Sequence, residues 1–459
     1  MARKLTRREV IAGAAVGAIG ATGVYELVDR LTTSSPKRPV VGALPPEQHL
    51  LDGLRFVHQD GVEILVPPLH HEIVTARVAV DRTEILNAQG AFEETLASIE
   101  ADYAPSPVGL GVTVAWGLPY FNRFVPGQSG RLIPFDRRAR KSALLDARLF
   151  PSDPEDTLLE QNEVAILLRS DVRSNIDDAL GRIQDTKLLE VTSLRRGFVG
   201  GGFEGRRSLP KQMAVAAGVR GADLIPDNAE LFLGFTSTQR AALGPGKIAN
   251  FETLGLVDLR GSDYFREGTH MHLSHITEDL EAWYVDFAYG ERVASAFHPG
   301  LDVKPHTQAI PMGPNEVSTG ADVRRHYRAT GQIGHSAPIQ TTSRLPVDLR
   351  GADGATYPKG TAIPIRADFN TLDNPFFFSS RPGEVQAEPV AGVHFVVFNP
   401  SSDDFHRNRL AMDGVLPDGK IALPPRDRGQ GFNSILRTTH RQNFIVPPRR
   451  HRSFPLAEL

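Results

Sequence analysis

Cysteine is absent from all 459 residues. Its absence excludes disulfide staples, thiolate nucleophiles, iron–sulfur clusters, zinc ribbons, thiolate-ligated haem and covalently attached c-type haem. Any metal must be held by histidine, carboxylate, tyrosine or methionine, and a lipid-modified N-terminal cysteine is ruled out. Charge of one sign is lacking as well. With 51 basic against 54 acidic residues the net charge is −3, so no global field recruits nucleic acid or another polyanion. Arginine outnumbers lysine but is spread along the chain and carries little functional information. No Gly-x-Ser-x-Gly elbow is present, and no phosphate loop or dinucleotide fingerprint follows a strand.

Long apolar runs are missing too. The longest N-terminal one, Val10 to Val24, falls short of the about 20 residues that span a membrane. It is rich in Ala and Gly and follows Thr6-Arg7-Arg8-Glu9. Weak hydrophobicity behind paired arginines is the pattern of a twin-arginine (Tat) export signal, with the translocon as a transient partner. No Ala-x-Ala site stands before Tyr25, so an uncleaved anchor stays open beside release to a periplasm or the exterior. This route carries folded cargo, which suits a protein that takes up a cofactor before export.

What remains has ordinary globular composition, 41% hydrophobic and 23% charged. The length exceeds the roughly 250–300 residues at which single cores stop growing. Residues 1–33 read as the signal, 34–48 as a Pro-rich linker, 49–255 as one folded half and 256–459 as another. In the first half, Ile73 to Val80 alternates as a strand, Phe92 to Ala101 carries Leu96 and Ile99 at helical spacing, and Val108 to Trp116 is a strand. A second unit follows: strand Glu163 to Arg169, helix Asn175 to Leu180, strand Leu188 to Leu194. The second half repeats this grammar, with strand Thr269 to Ile276, a short helix Glu278 to Tyr284, strand Gly392 to Phe398 and helix Ser401 to Met412. The expected fold is α+β, a duplicated ferredoxin-like architecture of the dimeric α/β-barrel type, with two antiparallel sheets covered by helices. The Arg- and Pro-rich tail, Pro447 to Phe454, reads as irregular surface.

Chemistry is narrowed to imidazole and carboxylate by the 15 histidines. His70 and His71 are adjacent, so on a strand they point to opposite faces and suit no common ion. In Thr269-His-Met-His-Leu-Ser-His275, His270 and His272 share a face and make a conceivable half-site for a transition metal, while His275 points away. His335 stands alone in a Gly-flanked turn after the helix-like Asp322 to Ala329; on residues alone such a histidine is ordinarily structural. Trp116, Trp283 and several tyrosines offer routes for electrons, although core packing is their usual work.

In their order along the chain these pieces resemble the dye-decolorising-type (DyP) haem peroxidase family. The resemblance runs through the export signal, Gly109-Leu-Gly-Val-Thr-Val-Ala-Trp, Tyr120-Phe-Asn-Arg-Phe, the Glu163 strand–helix unit and the Gly-rich loop from Gly200 to Pro210. It continues through Gly268-Thr-His-Met-His-Leu-Ser-His275, Gly334-His335, Ile365-Arg-Ala-Asp-Phe-Asn and Gly392-Val-His-Phe-Val-Val-Phe. It implies a b-type haem ligated through iron by His335. The family's distal Gly-x-x-Asp-Gly loop maps to Gly201-Gly-Phe203-Glu204-Gly205, with glutamate in place of aspartate. Glu204 would then move protons and a distal arginine would stabilise charge. Arg366 fits that arginine by local context and Arg350 by spacing from His335. Gly201, Phe203, Gly205 and His275 are the further residues expected around the haem.

Hydrogen peroxide and an organic electron donor are the implied reactants, and a homo-oligomer is compatible with the sequence. A displaced carboxylate leaves two rivals of the same fold, a haem-binding or iron-delivery protein and a haem-free ligand-binding protein. A non-haem metalloprotein using His270 and His272 is a third.

Overall fold

The computed structural model describes Val28 and residues 41–203, 206–251, 255–259, 263–310, 318–351, 354–373, 389–424, 426–427 and 430–459. Apart from Val28, the expected signal lies outside these residues, as do Glu204 and Gly205. No helix among the described residues is long and apolar enough to cross a membrane.

The first half places strands β1 (His70–Val78), β2 (Gly111–Gly117), β3 (Val164–Ser170) and β4 (Leu189–Phe198) in the order β4-β1-β3-β2, all antiparallel. Helices α1 (Ile85–Asp102) and α2 (Arg173–Asp185) make the two crossovers. The second half repeats the order as β8-β5-β7-β6, from β5 (Thr269–Glu278), β6 (Phe369–Thr371), β7 (Gly392–Asn399) and β8 (Leu436–Val446). Both halves are therefore ferredoxin-like β-α-β-β-α-β units, as their strand–helix grammar implies.

The two sheets do not remain separate. β2 pairs with β8 through Trp116↔Ile445 and Gly117↔Phe444, and β4 pairs with β6 through Phe198↔Asn370. Together these seams close the strands into a barrel with no free edge between the halves. Backbone pairing at each seam is short, and side-chain amides extend it. Gln442 accepts from Asn162 N at 2.9 Å and donates to Asn162 O at 2.7 Å. Gln48 bridges Val114 N at 2.9 Å and Pro447 O at 2.6 Å. At the other seam Asn370 donates to the Phe198 and Glu230 carbonyls at 3.3 and 3.2 Å. Glycine is required where the edges meet: a Cβ on Gly117 would lie 2.4 Å from Asn162 O, and one on Gly197 would lie 2.2 Å from Asn370 O.

Strand alternation then sorts side chains into layers. Ile73, Ala115, Leu167, Met271, Leu273, Phe369, Val396, Phe398 and Phe444 fill the barrel interior. Outside the first half, Val74, Val114 and Ile166 meet Phe92, Leu96 and Ile99 of α1 and Ile176, Ala179 and Ile183 of α2 in an apolar layer. Outside the second half the chain between β5 and β6 folds instead as short helices, α3 (Tyr289–Ala296), α4 (Gly320–Thr330) and α5 (Ser336–Ser343). With α6 (Ser402–Met412) they leave a cavity against the sheet.

Pro447 to Phe454, expected on the surface, is instead built into the core. Arg452 and Phe454 are buried. Arg452 pairs with Glu93 at 2.9 Å and Glu100 at 2.7 Å on α1, while its carbonyl accepts from Trp116 Nε1 at 2.7 Å. The Phe454 ring lies 5.0 Å from Trp116 and 5.6 Å from Phe92. Arginine and proline misread as surface because the ion pairs that bury them come from a helix some 350 residues earlier in the chain. Phe454→Ala should lower unfolding stability by about 3–5 kcal/mol, the usual cost of emptying such a core site, measured by denaturant titration; a loss below about 1 kcal/mol would mean the tail is dispensable.

Candidate functional site

The cavity between the second half's sheet and its helices leaves about 280 Å³ for the centres of water-sized molecules. Its walls are mostly apolar, with Phe235, Phe297, Ile339, Val393, Phe395 and Phe432 among them. That is the usual build of a small-molecule or cofactor site, an apolar body with a few convergent polar groups.

His335 is one of those groups. It lines the cavity at the N-cap of α5, where Gly334 takes φ +72° and Ser336 Oγ donates to Ala296 O at 2.9 Å. Phe432 lies 4.7 Å from the imidazole, and Gly431 is so close that a Cβ there would stand 2.5 Å from His335 Cβ. Nδ1 is buried without a partner among the described residues. Burial, then the charges of Arg366 and Arg409, hold the ring neutral down to about pH 3. A fixed neutral imidazole facing an apolar cavity is suited to iron ligation.

The arginines fall into two groups. Arg409 and Arg441 are already compensated: Arg441 grips Asp153 with two bonds of 2.7 and 2.9 Å, and Arg409 reaches Asp153 at 3.1 Å and Asp413 at 2.7 Å. Arg344 donates only to the Gly360 and Ala241 carbonyls, at 2.8 and 2.9 Å, and makes no ion pair among the described residues. Arg366 donates to the Ser237 carbonyl and sits in the field of Asp368 and Glu230. Both therefore keep charge available to an anionic group.

The acids on the cavity wall are Asp368 and Glu278, with Glu230 buried behind. Burial pushes the Asp368 carboxyl up, against the pull of Arg366. It pushes Glu230 up to about 8, and also Glu278, where Asp368 adds to the effect.

Arg366 and His335 thus share one cavity. Arg350 does not join them: it is exposed on a two-residue strand paired with Thr356–Tyr357. The expectation that Arg350 lines the haem site is corrected by that position. His275 is corrected likewise, because β5 alternates and presents Ser274 and Ile276 to the cavity. His275 instead forms a row with His394 and His440 in exact strand register, with Nδ1 2.6 Å from Thr439 Oγ1. Of the Gly-rich loop, Gly201 and Phe203 are absent from the cavity lining, and Phe203 packs on Val57, Ile64 and Ala309. His272 bonds Asn443 at 2.7 Å and Ser274 at 2.6 Å and stacks on Phe405, while His71 stacks on Phe369. Among the described residues no three His, Asp or Glu side chains converge to hold a metal ion, which leaves the His270–His272 half-site without a third ligand. Trp116 and Trp283 are buried, each with its indole N–H on a carbonyl.

Sequence reasoning missed Asp368, Glu278, Glu230 and Arg344. Asp368 was visible two residues after Arg366. The others are isolated charges that only folding gathers.

An ordinary glutamate ionises near 4.5 whereas folding holds Glu230 and Glu278 protonated to about 8. The folded state binds the extra protons, so stability should fall as pH rises through that window. Glu278→Gln should flatten the fall, measured as denaturation midpoints of the haem-free protein at pH 5 and 8; an unchanged slope would contradict the assignment.

The fold is shared with solved DyP-type peroxidases. Ferric DtpA from Streptomyces lividans aligns at a TM-score of 0.51 with 16% identity, over 86% of this chain and 94% of that one. A DyP-type peroxidase from Streptomyces coelicolor aligns at 0.50 with 16% identity, over 88% and 94%. No curated protein matches the sequence. Residues 68–448 match the family of unknown function DUF7405, and the chain belongs to that family.

Proposed function

We propose that this chain is a Tat-exported b-type haem protein, ligated by His335, that uses hydrogen peroxide to oxidise an organic donor. The observation that carries the reading is a neutral, rigidly seated His335 on an apolar cavity that also holds Arg366, within a DyP-type peroxidase fold. The residues fit the group. Phe297, Phe395 and Phe432 are suited to a porphyrin face, Arg344 to its carboxylates, and the free Nδ1 of His335 leaves room for tuning of the ligand.

Bound haem would supply the iron that activates peroxide and accepts electrons from the donor. In the overall balance one peroxide takes up two electrons and two protons and leaves as two waters. Arg366 would hold its charge against the departing oxygen, fixed by its bond to Ser237 O in a desolvated wall. A carboxylate must also carry a proton from one peroxide oxygen to the other. Glu204 is the residue implied by resemblance.

A second reading, haem binding or delivery without turnover, is favoured by the distance of Gly201 and Phe203 from the cavity lining. Absorption spectra of protein expressed with haem precursor decide the first step. A Soret band should appear in the wild type and be lost or shifted in His335→Ala; a band identical in both would overturn the ligand. Peroxide-dependent oxidation of dyes or phenols then separates peroxidase from carrier, and Arg366→Leu should cost about 100- to 1000-fold in rate. For export, Arg7→Lys with Arg8→Lys should retain the protein in the cytoplasm by cell fractionation; unchanged export would refute the Tat route.

A further inference from the structure

Asp368 and Arg366 lie two residues apart at one edge of the cavity. Ser237 joins them, its carbonyl accepting from the Arg366 guanidinium and its hydroxyl donating to Asp368 Oδ2 at 3.3 Å. Asp368 is 7% exposed, and its Oδ1 has no partner among the described residues. An orphaned carboxylate oxygen in a dry wall is costly unless it is protonated or meets a ligand. Two more carboxyls face the same group. Glu230 is held through Oε1 by Thr238 at 2.9 Å, and Glu278 lines the cavity from the end of β5; each keeps one oxygen without a partner among the described residues.

Asp368 and Glu230 thus act on Arg366, and Glu278 acts on Asp368, with Arg344 as the next cation along the wall. One guanidinium cannot fully compensate Asp368 and Glu230 in this desolvated space, and Glu278 adds its charge to that of Asp368, so the cluster retains protons.

We propose that Asp368, aligned with Arg366 by Ser237 and backed by Glu230 and Glu278, is the proton-handling carboxylate of this cavity. Resting on the haem reading above, the assignment has Asp368 take a proton from one peroxide oxygen and return it to the other. The carboxyl ends as it began, and no electron passes through it. The raised affinity of all three acids for protons suits a relay that works near neutral pH.

The test has a haem-free and a haem-loaded arm. In the full-length haem-free protein with carboxyl-labelled aspartate, infrared or NMR titration should show an aspartate signal, beside those of Asp171 and Asp403 that burial also raises, ionising above the ordinary range. That signal should vanish in Asp368→Asn. In the loaded protein, the peroxide-driven Soret change should slow by about 100-fold or more in Asp368→Asn and recover in part in Asp368→Glu. The midpoint of the spectral pH transition should also move in both variants. An ordinary aspartate titration throughout would overturn the proposal, as would a wild-type rate in Asp368→Asn beside a large loss in Glu204→Gln. A wild type without any Soret band would sink the haem reading, while the labelled titration would still decide whether Asp368 holds a proton. If Asp368→Asn fails to fold, the wild-type titration and Asp368→Glu carry the decision.

Discussion

Closure of the sheet at its two seams is the constraint on which everything else depends. Each seam has only one or two backbone pairs, so it relies on amide side chains that copy the missing ladder and on glycines that let the edges approach. A closed barrel leaves no exposed edge to template aggregation. It also fixes the facing of every strand residue, since a slip of one position would turn an entire strand inside out.

With facing fixed, the two halves diverge in what covers them. The first half seals its outer face with two amphipathic helices and an apolar layer. The second half replaces the first crossover helix with a long excursion of short helices, and the space so opened becomes the cavity. A pseudo-symmetric fold thereby acquires a cavity on the outer face of its second half. The same alternation sends Met271, Leu273 and His275 inward while Ser274, Ile276 and Glu278 face the cavity. The His394–His275–His440 row is thus a structural feature of the sheet, supported by Thr439.

Polar groups in the cavity are held at a cost that their surroundings only partly offset. Arg409 and Arg441 are neutralised by Asp153 and Asp413. Arg366, Asp368, Glu278 and His335 each keep an atom or a charge unmet, and they do so in one space. A packed core avoids such groups. Their concentration around one cavity is what supports reading it as a ligand site.

The duplicated strand–helix grammar was legible because periodicity is local. Alternation marked β1, apolar runs marked β3 and β7, and the i, i+4, i+7 spacing of Phe92, Leu96 and Ile99 marked α1. His335 and Arg366 could be singled out by resemblance. The sequence by itself determined the fold class, the exclusion of thiolate chemistry and the short list of imidazole and arginine candidates. Only the tertiary structure decided that Arg366 rather than Arg350 lines the cavity with His335, and that β5 turns His275 away from it. It alone buried the Arg–Pro tail, set Asp368 and Glu230 beside one guanidinium and brought Glu278 to Asp368. Those outcomes depend on which strands pair across the seams, and contacts between residues hundreds of positions apart leave no trace in local spacing.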